Sequence, residues 1–220
     1  MSVVVVLPVK RFDLAKSRLG DGGLRPSDRV ALATGMLTDV LETLKLTENV
    51  DDVVVVTREP NAEVLARTYG AQVIPDDLAG GHSEAAALGI AWALDEGAFH
   101  VLVLAGDLPT VTAAEIDELV RELSDDPEVI VVPDRHGSGT NALLLTPPDV
   151  IAPSFGEGSR SRHERLCEEA GARVRIEEIA SFMLDIDTPD DLDALAEALA
   201  DAPRRTAIYT RDALSRVKRG

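Results

Sequence analysis

Val-rich apolar runs at residues 3–9, 53–57, 71–74, 100–105 and 129–132 recur along the first part of the chain, with segments of another period between them. The runs are continuous rather than alternating. A strand with one wet face alternates polar and apolar residues, whereas a strand covered on both faces does not. The pattern therefore predicts a mainly parallel sheet sandwiched between helices. The intervening segments have helical period: 28–46 places Leu32, Met36, Leu37, Val40, Leu41 and Leu44 on one stripe. Segment 61–69 closes on Gly70 and 83–96 on Gly97, both positioned as C′ glycines. Thr112 and Glu115 form a capping box that opens a helix running to about residue 123.

The second half is less regular. Residues 142–146 read as a strand stopped by Pro147 and Pro148, and 161–170 as a helix ended by Gly171. Strand candidates follow at 173–177 and 182–186, and Thr188 with Pro189 supplies an N-cap and N1 for a helix to about residue 200. The βαβα alternation indicates one three-layer α/β domain over 1–200. Residues 201–220 are read as a basic extension, because 203–220 holds six Lys or Arg against the single Asp212. Such a tail is either mobile or docked, on its own domain or on the partner of a homodimer.

A formal charge of −17 argues against holding a nucleic-acid backbone by charge, and 3% aromatics leaves few platforms for stacking bases. An anionic substrate must then be met by local cations. One cysteine, Cys167, excludes an intrachain disulfide and any multi-thiolate metal site. The apolar opening run is too short to span a membrane and has no positive segment before it, so the expected location is the cytoplasm.

In open parallel sheets, ligands gather at the carboxyl ends of the strands. Asp107, in Gly106-Asp107-Leu108-Pro109, is fixed there, where it either shapes the turn or meets a hard cation. Asp185 and Asp187 lie two apart in extended backbone and face one side; two like charges together favour a cation between them. Asp187 and Asp190 also suit the following helix N-terminus. Lys10, Arg11, Lys16 and Arg18 form a positive patch after the first strand, suited to phosphates, although no P-loop or dinucleotide-binding glycine pattern is present. The glycines of 134–141 let backbone amides approach a ligand beside Thr140 and Asn141, or else form a hairpin turn, and 155–163 carries Ser159, Arg160 and Arg162 ahead of a helix N-terminus, an anion site in form. His163 either contacts phosphate or sits on that helix.

These motifs, in this order, resemble the 2-phospho-L-lactate guanylyltransferase family, which includes phosphoenolpyruvate guanylyltransferases of coenzyme F-420 biosynthesis. The resemblance spans roughly residues 3–199. It rests on Val9-Lys10-Arg11 with Ala15-Lys16-Ser17-Arg18-Leu19, on Gly106-Asp107-Leu108-Pro109, and on Asp134-Arg135 with Gly139-Thr140-Asn141. Phe155-Gly156 with Ser159 and His163, and Asp185-Ile186-Asp187-Thr188-Pro189, complete it. It implies a GT-A-like nucleotidyltransferase (nucleotide-diphospho-sugar transferase) fold, similar to the molybdenum-cofactor guanylyltransferases. It implies Mg²⁺ on Asp107, Asp185 and Asp187, and the phosphorylated acid on Thr140, Gly156 and Ser159. Lys16 and Asp107 are the implied catalytic residues, with Lys10, Lys16, Ser83 and Asp107 toward GTP. The family usually has a Gly-Leu-Asn stretch near the nucleotide, where this chain reads Gly80-Gly81-His82-Ser83-Glu84. The implied acceptor is phosphoenolpyruvate or 2-phospho-L-lactate. Other readings are a 3-phospho-D-glycerate guanylyltransferase, a GT-A glycosyltransferase and a non-catalytic nucleotide-binding module.

Overall fold

Seven strands form one sheet because nearly every residue in its central strands is apolar on both faces and needs cover on each. The computed structural model describes residues 2–13, 16, 19–20, 23–77, 81–121 and 126–217. In chain order the elements are β1 (Val3–Val9), α1 (Pro26–Leu44), β2 (Asp52–Thr57), α2 (Pro60–Thr68), β3 (Gln72–Pro75), α3 (His82–Asp95) and β4 (His100–Leu104). There follow α4 (Ala113–Arg121), β5 (Glu128–Val132), β6 (Ala142–Thr146), α5 (Ser159–Ala170), β7 (Arg173–Ile176), α6 (Pro189–Asp201) and α7 (Ile208–Arg216). The sheet order is β3-β2-β1-β4-β6-β5-β7. Every neighbouring pair is parallel except the two involving β6, which runs antiparallel to both β4 and β5.

Successive side chains of a strand point to opposite faces, and the core divides accordingly. Val5, Leu7 and Leu102 pack on one face with Leu37 and Leu41 of α1 and Ile116 of α4. Val4, Val6 and Val103 pack on the other with Ala85 and Ile90 of α3 and Cys167 of α5. Each fully buried Val or Leu contributes roughly 1.5–3 kcal/mol. α3 comes unusually close to β1: a Cβ on Gly89 would lie 2.3 Å from Val6 Cγ1, so a glycine is required at that crossing. The Cys167 thiol is buried and its pKa is pushed up to about 11 by that burial, as befits a packing residue.

The 182–186 strand candidate is not a strand. Its alternation is real, since Phe182 and Ile186 are fully buried. Its backbone groups, however, bond locally: Phe182 N–H donates to the Ile179 carbonyl (2.9 Å) and Met183 N–H to that of Ala180 (3.3 Å). The Phe182 carbonyl accepts from Asn141 Nδ2 at 2.9 Å. The predicted capping box of Thr112 with Glu115 forms, and the predicted N-cap Thr188 also closes one, with Asp191. The helix after Thr112 is described over Ala113–Arg121, and the expected end near residue 123 falls outside the described residues. Among the described residues, no helix is long and apolar enough to cross a membrane.

Within 201–220 the structure contains a helix, α7, packed on α1. Gly35 permits the approach, since a Cβ there would lie 2.8 Å from the Tyr209 carbonyl oxygen. Buried Asp39 accepts from Tyr209 N–H (3.1 Å), Thr210 N–H (2.8 Å) and the Thr210 hydroxyl (2.6 Å). A third apolar cluster joins Leu32 and Met36 of α1 to Leu192, Leu195 and Leu199 of α6 and Ala213 of α7. Asp39→Ala strands the two amides of α7, so urea unfolding should show a loss of about 1–3 kcal/mol. Proteolysis should then nick the chain around residues 203–207 before elsewhere. Unchanged stability and cleavage would contradict the stapling role.

Candidate active site

The reversed strand decides where the site lies. Ala142, the first residue of β6, pairs with Leu104 at the end of β4 on one side and Val132 at the end of β5 on the other. Residues just before β6 therefore share an edge with residues just after β1, β4 and β5. A cleft of about 820 Å³ opens there, and Lys10, Lys16, Asp107, Thr140, Asp185 and Asp187 are among its lining residues.

Its centre is ionic. The Lys16 ammonium donates to Asp107 Oδ2 and to Asp187 Oδ1, the latter at 3.0 Å, and its side chain is only 6% exposed. Burial alone would lower the Lys16 pKa, but Asp107 and then Asp187 outweigh it and hold the group charged. Lys16 also has φ +58°, a left-handed conformation costly for a residue with a Cβ. Arg29 of α1 supports that turn by donating to the Lys16 carbonyl at 3.4 Å. Asp185 completes the group, accepting from Asn141 Nδ2 at 3.0 Å. Burial, then Asp107, raises the Asp185 pKa; the Asn141 hydrogen bond opposes this, Asp187 adds to it, and the result is about 6. The Asp187 backbone is fixed from behind, its N–H and that of Thr188 donating to Asp191 Oδ2 at 3.1 and 2.7 Å. Arg135 pairs with the other oxygen of Asp191 at 2.7 Å.

Three carboxylates thus converge with one ammonium between two of them. Their mutual repulsion, felt most at Asp185, leaves negative charge that a hard divalent cation would neutralise, and carboxylate oxygens are the donors Mg²⁺ prefers. Among the described residues, no three His, Cys, Asp or Glu side chains are gathered tightly enough to hold an ion as they stand. Donor chemistry and charge fit the ion; closure requires Lys16 to yield.

Thr140, Gly156 and Ser159 also line this cleft. Asp134 Oδ1 accepts from the N–H groups of Ser138 and Gly139, both at 2.9 Å, shaping the turn that presents Thr140. A Cβ on Gly139 would lie 2.8 Å from Asp134 Oδ2, and Gly156 has φ +108°, so both glycines are needed. His163 is fully buried behind this wall. It meets no solvent, which resolves the choice between phosphate contact and a place on the helix in favour of the latter. Arg160 and Arg162 do not form the expected anion site. Arg160 pairs with Glu164 at 3.1 Å, and Arg162 donates to the carbonyls of Ser154 (3.1 Å), Phe155 (3.0 Å) and Glu157. Arg11 turns to Asp13 on the surface, and Arg18 lies outside the described residues.

Ser83 lies in the first turn of α3 and its hydroxyl accepts from Phe155 N–H at 2.8 Å, joining α3 to the Gly156 loop. Its neighbour His82 lines the cleft instead, edge-on to Phe155 with centroids 4.6 Å apart. Burial, then Lys10, holds the His82 pKa down to about 4. The sequence placed His82 only within a stretch that departs from the family near the nucleotide and gave it no role of its own. Gly80, in the same stretch, is outside the described residues.

Comparison with known proteins gives the family and the fold. Residues 3–206 match the family described as guanylyl transferase CofC like. The phosphoenolpyruvate guanylyltransferase of Conexibacter woesei is 48% identical over 220 residues, covering 100% of this chain and 98% of that protein. The enzyme of the same name from Sphaerobacter thermophilus is 39% identical over 196 residues, covering 89% and 93%. Among solved structures, a nucleotidyl transferase from a Methanothermobacter species superposes with TM-score 0.66 at 18% identity, covering 90% of this chain and 98% of that one. A protein of Desulfovibrio desulfuricans described as a nucleotide-diphospho-sugar transferase gives 0.76 at 18% identity, covering 98% and 95%. At such identity the structures speak for the fold, which is the nucleotidyltransferase-like α/β fold expected.

The buried imidazole of His163 has a pH consequence. Burial, then Arg162, holds its pKa down to about 4, below the ~6.5 of an unfolded histidine. Between those values the unfolded chain binds the extra proton, so this contribution is present above pH 6.5 and is lost as pH falls toward 4. Asp185, raised, acts with the opposite sign over much of that window, so wild type alone does not isolate His163. The difference between wild type and His163→Phe should shrink by up to ~1.4 kcal/mol per pH unit on acidification. Urea titrations at pH 7, 6 and 5 check this, and a pH-independent difference would contradict it.

Proposed function

The chain belongs to the CofC-like guanylyl transferase family, and from that premise we propose that it transfers GMP from GTP to the phosphate of phosphoenolpyruvate, with 2-phospho-L-lactate as the nearest alternative acceptor, in coenzyme F-420 biosynthesis. It is a nucleotidyltransferase. The observation that carries the reading is one cleft with two unlike walls, an acid-and-lysine centre and a glycine, threonine and serine face.

A substrate phosphate is mostly dianionic at neutral pH, its second pKa being about 6, so its oxygen needs no general base. That oxygen attacks the α-phosphorus of GTP, a new P–O bond forms, and the bond to the β-phosphate breaks to release pyrophosphate. Lys16, held charged in its pocket, offers an ammonium to the departing phosphates once it leaves Asp107 and Asp187. Lys10, exposed on the cleft rim, adds a second cation. Asp107, Asp185 and Asp187 are the groups that would hold Mg²⁺, which supplies charge neutralisation and alignment of two anions. Thr140, Gly156 and Ser159 orient the acid, and Ser83 clamps the loop that carries Gly156. Every one of these groups comes from one chain, so this reading needs neither a homodimer nor nucleic acid, and we place the reaction in the cytoplasm.

Pure protein with GTP, Mg²⁺ and one acid at a time (phosphoenolpyruvate, 2-phospho-L-lactate or 3-phospho-D-glycerate) should release pyrophosphate fastest with phosphoenolpyruvate. Silence with all three would sink the proposal. Asp107→Ala should lower kcat by about 10³-fold or more while far-UV circular dichroism stays unchanged. An active Asp107→Ala enzyme would remove Asp107 from the centre.

A further inference from the structure

We infer that His163 is a positioning residue whose Nδ1–H, donated to Thr140 Oγ1, forces one hydroxyl hydrogen of the Thr140–Ser159 pair to point into the cleft, toward an oxyanion of the phosphorylated acid. The identity of that acid rests on the function proposed above; the direction of the hydrogen bonds does not.

His163 lies four residues after Ser159 on α5, hence on the same helix face, and its ring reaches Thr140 across the end of β6. Ser154 N–H points at His163 Nε2 from 3.0 Å. A backbone amide can only donate, so Nε2 carries a lone pair. Fully buried, the ring is neutral at pH 7, its pKa held down by burial and then by Arg162. A neutral imidazole has one N–H, which must then be on Nδ1. Nδ1 is 3.1 Å from Thr140 Oγ1, which in turn is 3.1 Å from Ser159 Oγ.

Three hydrogens now serve these groups: one on Nδ1 and one on each hydroxyl. With Nδ1 donating to Thr140, either Ser159 donates to Thr140 or the reverse holds. In both arrangements one hydroxyl hydrogen has no partner within the group, and the two residues are among those that line the cleft. The other tautomer reverses the outcome. An unprotonated Nδ1 would draw the Thr140 hydrogen backward, Ser159 would donate to Thr140, and the wall would offer only lone pairs to an anion. The tautomer therefore sets whether this wall attracts or repels an oxyanion. Two further contacts lock it. Arg162 fixes Ser154 by donating to its hydroxyl and its carbonyl, both at 3.1 Å. Phe155 stands edge-on to His163 with centroids 5.4 Å apart, which hinders a ring flip that would exchange the nitrogens.

The test has two arms. A long-range proton–nitrogen correlation spectrum of the ¹⁵N-labelled protein at pH 7 should show His163 neutral with its hydrogen on Nδ1. An Nε2–H tautomer would overturn the inference, whatever the enzyme's substrate. In the kinetic arm, His163→Phe should raise KM for the acid by about tenfold while kcat and KM for GTP stay within about twofold. His163→Asn, whose amide nitrogen takes the place of Nδ1, should recover part of that loss. Equal changes in both KM values, or none, would reduce His163 to packing and refute the role. Should His163→Phe fail to fold, the spectrum of the wild type decides alone. Should the wild type release no pyrophosphate with any acid, the proposed function fails while the spectrum still reads the tautomer.

Discussion

Everything in the cleft turns on like charges held together. Asp107, Asp185 and Asp187 come from two distant parts of the chain, and Asp107 and Asp187 are close enough to raise the energy of the charged form of Asp185. Water would relieve that repulsion, but Asp185 is largely withdrawn from it, and its pKa rises to about 6. Lys16 supplies the compensation, and its backbone adopts a left-handed conformation where it does so. A centre that holds two carboxylates on a lysine and leaves a third strained is poised for exchange of one cation for another. The surrounding fold keeps it in place: Arg135 and Asp191 fix the Asp187 backbone, and Asn141 ties Asp185 to the start of β6.

Much of this could be read before any coordinates, for reasons that are local. Continuous Val runs can only be strands covered on both faces, and they are β1, β2, β4 and β5. Capping boxes depend on four neighbouring residues, so Thr112 and Thr188 gave their helix starts away. The acidic triad was legible as a set of candidates, Asp107 from its place after a buried strand and Asp185 and Asp187 from their two-residue spacing, and the three do line one cleft.

What was not legible depends on contacts distant in sequence. The direction of β6 is not encoded in Ala142–Thr146; it follows from the short return after β5. Segment 182–186 alternates like a strand, yet its carbonyl partner is the side chain of Asn141 rather than a neighbouring strand. Arg160 and Arg162 looked like anion ligands because charge is visible in a sequence and its partners are not; both are occupied by Glu164 and loop carbonyls. α7 was hidden by composition, since its basic residues suggested a tail while its seat is a buried carboxylate, Asp39, in a helix far upstream.

The neck of loop 133–141 is closed on itself, the Asn141 amide donating to the Val132 carbonyl at 2.9 Å beside the Val132–Ala142 rung. The loop's tip, with Asp134 gripping its own Ser138 and Gly139 amides, is shaped from within. Such a segment is a brace as well as a wall: Arg135 reaches Asp191 and Asn141 reaches Asp185, so its lettering is free only away from those two anchors. A hairpin grafted here to alter the acid-facing threonine must therefore carry its arginine and asparagine with it, or the carboxylates beside it lose their footing.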